Sequence, residues 1–324
     1  MTTIKVLEDE VLNFREVFQA LRQGQKKFLI DEGPDLSKIM MGDLPLVEML
    51  KDHGDIEVTT YNLVQDDVAG VSVLKDSDPA LVPFLHYAEH KLTHIKTPRS
   101  IEKHFGLFVA GSRWHRLMLA SYLFDKHASK SIIGYRQSIT KKDQPCNLRL
   151  DELFLRTYRY NDHVLPSVTN FLHQLPLEVT DEANDNRGFI NYDQTWQLAG
   201  TYDKIFLDVV CETWHNGNCF SPTEKTARAI VCRTPFLVYA GKGFLANLRK
   251  WGFMTFDEIW DESYDVCDGV DRIVKMQSVL EKLSNKSLAE LGSLYAKIQP
   301  ILEHNVKIYN GLPDQNNLVE LLDN

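Results

Sequence analysis

Residues 202–265 hold two strand–loop–helix units in immediate succession, and no other stretch restricts the fold as much. Ile205–Val210 is a short apolar, β-prone run, and Ser221-Pro222-Thr223-Glu224-Lys225 opens a helix. Pro235–Tyr239 is a second strand of the buried type, closed by Gly241-Lys242-Gly243 before Phe244–Trp251 turns helical. Two βα units in a row imply a parallel sheet, whose functional end lies where strands stop and helices begin. Glu212, Glu224, Lys225 and the glycines all fall at that end.

The ordered pattern V-x-E-T, S-x-T-E-K-T, P-F, G-F, F-D and W-D-E-S-Y-D across this stretch resembles glycosyltransferase-like proteins common in phage genomes. Its Glu-Lys pair at a helix start is also similar to the nucleotide-sugar site of the α-1,3-fucosyltransferases. The resemblance covers the chain from about residue 95 onward. It implies an α/β fold of the GT-B-like kind, with two Rossmann-type domains built on parallel sheets and a helical C-terminus. It implies metal-independent, inverting sugar transfer from a nucleoside-diphosphate sugar, with no further cofactor. Carried over, Glu224 holds the ribose, while Lys225 with Arg113 or Arg116 neutralises the departing diphosphate. Glu212, Ser221 and Thr223 belong to the same donor-binding set. The chain departs from the fucosyltransferase pattern at Ser221, where an aromatic is expected, so stacking on a guanine is not carried over.

Composition bounds the rest. At 324 residues the chain is long enough for two domains, and 44% apolar with 25% charged is ordinary for a globular protein. No run of 18 apolar residues predicts a membrane span, and the acidic, amphipathic start MTTIKVLEDEVLNF does not read as a signal peptide. The five cysteines (146, 211, 219, 232 and 267) form no C-x-x-C and read as reduced thiols of a cytoplasmic protein, in the host cytoplasm if viral.

The net charge of −9 is unevenly spread: residues 93–149 carry 11 basic and 3 acidic side chains, against 9 and 17 in residues 1–92. Such a basic island suits a diphosphate or a nucleic-acid backbone, or else is a solvated face. Its residues Arg136, Lys141 and Lys142 raise the option of DNA as acceptor, beside a surface glycan.

Taken in order, Leu7–Leu21 has the apolar spacing of an amphipathic helix, Lys27–Ile30 reads as a strand, Leu44–Leu50 as a helix and Ile56–Leu63 as a strand. Asp31 and Glu32 follow a strand, where they fit a general base working across a cleft or, equally, a polar turn. They are the candidate catalytic residues. Asp76 and Asp78 form the chain's one D-x-D, which suits a divalent ion on a sugar diphosphate; Pro79 behind Asp78 instead spells a helix start, and no metal is expected. Thr93–Ser100 reads as a linker, giving an acceptor-side domain at 1–95, a nucleotide-sugar domain at 96–310 and a polar tail at 311–324.

His104–Ala110 is then a strand, Gly111-Ser112-Arg113-Trp114-His115-Arg116 a turn into a helix, and Ser131–Tyr135 another strand. A helix start with two arginines is an anion-binding geometry. His115 there fits a phosphate donor or base, although an isolated histidine at a helix start more often packs or caps. Tyr158-Arg159-Tyr160-Asn161 offers base stacking or a plain amphipathic edge, and residues 266–310 read as two helices with Pro300 kinking or splitting the second. Rival readings are a non-catalytic nucleic-acid-binding or host-interaction protein, and a metal-dependent transferase using Asp76 and Asp78.

Overall fold

The protein is described by a computed structural model. Its described residues are 1–7, 10–30, 34–41, 43–65, 68, 70–75, 84, 99–109, 113–135, 165–175, 177, 179 and 195–312. Asp31, Glu32, Asp76, Asp78, Arg136, Lys141, Lys142, residues 158–161 and the tail beyond 312 lie outside them.

The chain opens with β1 (Thr2–Ile4), β2 (Val6–Leu7) and β3 (Glu10–Val11), followed by α1 (Phe14–Arg22) and β4 (Lys27–Ile30). Then come β5 (Met40–Met41), β6 (Leu44–Pro45), α2 (Leu46–Lys51), β7 (Ile56–Thr60) and β8 (Val71–Lys75). Strands β1, β4, β7 and β8 form a parallel sheet in that order, with the short strands β2, β3, β5 and β6 in a second one. The single helix expected over residues 7–21 begins only at Phe14. Asn13 accepts from Lys5 N at 2.9 Å and donates to Thr3 O at 2.8 Å, so its side chain ties the backbone to β1 and the helix cannot run back through it.

The second half runs β9 (Lys103–Val109), α3 (Trp114–His127), β10 (Ser131–Tyr135), α4 (Leu165–Leu172), α5 (Thr195–Tyr202) and β11 (Ile205–Cys211). It continues with α6 (Glu224–Val231), β12 (Phe236–Tyr239), α7 (Phe244–Lys250), α8 (Gly269–Ser284) and α9 (Leu288–Asn310). The sheet order is β10-β9-β11-β12, all parallel. This is a mixed α/β arrangement compatible with a Rossmann-like fold. Every residue of β11 and β12 is buried, which is why both strands are mainly apolar rather than alternating, with Asp208 the one charged residue of β11. Pro300 lies inside an uninterrupted α9 and does not split it. Among the described residues no helix is long and apolar enough to cross a membrane.

Two apolar cores result, and the segment after β11 joins them. Trp214 and Cys219 pack in the core of the first sheet, while Phe220 packs in the core of the second. Asn62 fastens the same segment: its Nδ2 donates to Asn218 O at 3.0 Å and its Oδ1 accepts from Phe220 N at 3.0 Å. Asp35 Oδ2 accepts from Asn218 N at 2.8 Å. Arg99, read in sequence as linker, is anchored: it donates to Arg233 O at 2.7 Å, to Thr234 Oγ1 at 2.6 Å and to Tyr202 O.

Candidate anion-binding site

The order β10-β9-β11-β12 places β9 between a strand that follows it and a strand reached from the other side. The crevice beyond the carboxyl ends of β9 and β11 is therefore a topological switch point, where ligands bind in open α/β sheets. Helices α3 and α6 both start there, and their N-termini bring partial positive charge.

Side chains from both helices and from the end of β11 meet in this crevice. Arg116 Nη2 donates to Thr213 Oγ1 at 3.3 Å, and Lys225 Nζ approaches the same oxygen at 3.5 Å. Lys225 also donates to Thr223 Oγ1 at 3.1 Å and Glu224 Oε1 at 2.8 Å. Arg113 lies over the Trp214 ring, 5.1 Å from its centroid. The Arg116 guanidinium is driven below its ordinary range by burial and then by Arg113, with Cys211, Tyr135 and Glu224 acting the other way. Burial pushes the Glu224 carboxyl up, but Lys225 and Arg228 outweigh it and bring it down to about 2.

Glu212, expected among the donor contacts, has a different role. Its fully buried carboxylate accepts from Thr223 N at 3.1 Å, from Thr226 Oγ1 at 2.6 Å and from the Thr223 hydroxyl. Both oxygens are engaged within the fold, so Glu212 braces the end of β11 against the start of α6. The helix expected to open at Ser221 begins at Glu224. Thr223, not Ser221, is the N-cap, and its hydroxyl accepts from Lys225 N at 3.3 Å. Ser221 is half-buried and stands outside the helix. Of the expected donor set, Arg113, Arg116, Thr223, Glu224 and Lys225 share the crevice, Glu212 lies beneath it, and the catalytic candidates Asp31 and Glu32 are outside the described residues.

Three residues of the crevice were not among the expected site residues. Thr213, the last letter of the V-x-E-T pattern, receives both cations, Trp214 underlies Arg113, and His215 packs at a tilt against His115 with ring centroids 3.8 Å apart. His115 Nε2 lies 3.1 Å from Glu212 O, and His215 Nδ1 lies 3.4 Å from Thr213 O. Both partners are carbonyls, so these ring nitrogens are the protonated ones. Both imidazoles are held well below their ordinary range, first by burial; Arg116 and Arg113 press on each, and His215 further depresses His115.

The W-D-E-S-Y-D run proves to be a lock on the neighbouring turn. Asp265 accepts from Leu245 N at 3.0 Å, from Ala246 N at 3.3 Å and from Arg272 Nη2 at 3.1 Å. Glu262 accepts from Phe256 N at 2.8 Å and pairs with Arg249, and Trp260 and Tyr264 are buried. Glu262 and Asp265 are thus turned onto their own helices, while Asp261 is exposed. Among the described residues no group of three or more His, Cys, Asp or Glu side chains could hold a metal ion.

A scan against protein-family models found no match, and a search of curated proteins found none either.

Proposed function

We propose that the crevice binds the diphosphate of a nucleoside-diphosphate sugar and that the protein transfers the sugar to an acceptor hydroxyl, with the two sheets arranged as in a GT-B enzyme. The observation that carries this reading is the gathering of Arg113, Arg116 and Lys225 where α3 and α6 begin, at a sheet switch point. Departure of a nucleoside diphosphate builds negative charge, and fixed cations in a water-poor crevice stabilise that charge without reorganising. Arginine's planar fork suits phosphate, and an ammonium on the first turn of a helix adds to the helix dipole at one anion position. Glu224, ionised at neutral pH and half-buried beside Lys225, is suited to accept from ribose hydroxyls.

The test is a thermal-shift screen against UDP, GDP, CDP and their sugars, followed by turnover assays on the nucleotide that shifts the melting temperature. A ligand of the folded state stabilises it by mass action, about 2.7 kcal/mol at a hundred times its Kd. Absence of a shift with every nucleoside diphosphate refutes the reading.

A further inference from the structure

We infer that Thr213 is a phosphate-binding residue of the anion site, its hydroxyl lying beside the place where an oxygen of the bound phosphate meets Arg116 and Lys225. The inference rests on the diphosphate reading and deepens it. Two cations from different helices, α3 and α6, converge on this one oxygen, at 3.3 Å and 3.5 Å. Those distances are long beside the roughly 2.7–2.9 Å of a good charge-assisted bond, so an anion gains both donors while little is lost. A hydroxyl can accept or donate. With a phosphate oxygen between the cations, the Thr213 hydroxyl turns from acceptor to donor and adds a third bond.

The backbone beneath the hydroxyl is pinned from every side. His115 donates to the carbonyl of Glu212 and His215 to that of Thr213, while the Glu212 side chain is held by Thr223 and Thr226. Immediately after it, Trp214 is locked in the first core at 3% exposure. The oxygen is therefore aimed by fixed backbone rather than by a mobile loop. A further observation points to a polar ligand at this place. His115 Nδ1, His215 Nε2 and Trp214 Nε1 are buried polar atoms without a hydrogen-bond partner among the described residues, next to the two arginines. Buried groups of this kind are uncommon in folded proteins and gather at functional sites.

The experiment is isothermal titration calorimetry of the full chain with pyrophosphate, UDP and GDP, on wild type, Thr213→Val, Thr213→Ala and Thr213→Ser. Valine keeps the shape and removes the hydroxyl; alanine does so without any demand for space. The expected result is a loss of about tenfold or more in affinity for valine and alanine, and near-wild-type affinity for serine. Melting temperatures without ligand should stay within a few degrees across the set. Wild-type or tighter binding by the valine or alanine protein overturns the inference while leaving the diphosphate reading in place, and so does a serine protein as weak as valine. A wild type that binds none of the three probes overturns both.

Discussion

Replacing Lys225 by methionine separates its two roles, as partner of a carboxylate and as donor to an anion. Lys225 is 15% and Glu224 22% exposed at their side chains, with 2.8 Å between Nζ and Oε1. Lys225 is thus largely covered and paired, not the exposed lysine that its place in a helix first turn would imply. The Glu224 carboxyl stands at about 2 against an ordinary 4.5, a difference worth about 3 kcal/mol. Arg228 shares in lowering it, so Lys225 accounts for part of that difference. The sign is that of a depressed acid: the stabilisation is complete above pH 4.5 and is lost as pH falls toward 2. Lys225→Met should therefore lose about 2 kcal/mol near pH 7 and show a flatter decline in acid. In the double variant Glu224→Gln/Lys225→Met no unpaired charge remains, and most of that stability should return. Nucleoside-diphosphate affinity should stay low in both variants, by about 1.5–3 kcal/mol, because the lost charge-assisted bond is not replaced. Urea denaturation between pH 2 and 7 and calorimetric titration read the two quantities apart. A single variant as stable as wild type refutes the electrostatic argument, and a double variant that regains affinity refutes the anion-donor role.

Asp208, mid-strand in β11, has its carboxyl raised to about 6, first by burial; the Tyr202 hydroxyl at 2.7 Å and Arg228 oppose the shift. A raised acid favours the folded state at low pH, so this group's contribution falls by up to about 3 kcal/mol between pH 4 and 6, and Asp208→Asn should remove that slope from urea midpoints. A Cβ on Gly241 would lie 2.1 Å from the backbone oxygen of Cys219, so Gly241→Ala should cost more than about 2 kcal/mol. Gly292, in α9, has nothing within 4 Å of that position, and Gly292→Ala should gain about 0.5–1 kcal/mol; equal melting temperatures for these two alanine variants would refute the packing argument. Asn62→Ala should cost at least about 2 kcal/mol and speed amide exchange at Phe220, whose N–H it holds; unchanged exchange would show that Asn62 does not fasten this segment.

The sheet around β11 and β12 was legible because fully buried parallel strands leave mainly apolar runs, and Ile205–Val210, broken only by Asp208, and Pro235–Tyr239 are such runs. Strand β8 was not, because Val71–Lys75 alternates only weakly and is half exposed. Residues 7–12 carry helical spacing, but Asn13 offers its amide to β1, and a tertiary hydrogen bond outweighs a weak local preference. At the site, the arginines after β9 and the Thr223-Glu224-Lys225 helix start were readable as local motifs. Their meeting point was not. Thr213 is only a letter of the V-x-E-T pattern, and Trp214 and His215 are ordinary letters, until the sheet order brings β9 beside β11, a pairing about a hundred residues long in sequence. Glu212 misled for the opposite reason: a carboxylate at a strand end looks available, and only the three donors from Thr223 and Thr226 show that it is spent within the fold.

Two of the buried guanidiniums of the second half, Arg272 and Arg116, show how differently this fold treats charge. Arg272 is fully buried and paired with a carboxylate: Asp265 lies at 3.1 Å, Gly241 O at 3.0 Å, and the Ala240 carbonyl and the rings of Tyr239 and Tyr264 surround it. That arrangement closes the turn before α7. Arg116 reaches the hydroxyl of Thr213, and Arg113, a like charge, acts against it, while Glu224 acts in its favour though its carboxylate is bonded to Lys225. Withdrawing a cation from water costs several kcal/mol, and a second cation nearby adds to that cost. Arg113, Arg116 and Lys225 thus gather where the N-termini of α3 and α6 add further positive charge. An arriving dianion relieves the repulsion between Arg113 and Arg116 as well as forming its own bonds. For that reason, Arg116→Met should abolish diphosphate binding while costing less stability than Arg272→Met, which should destabilise the protein by about 3–5 kcal/mol. Equal losses of stability in the two variants would sink this distinction.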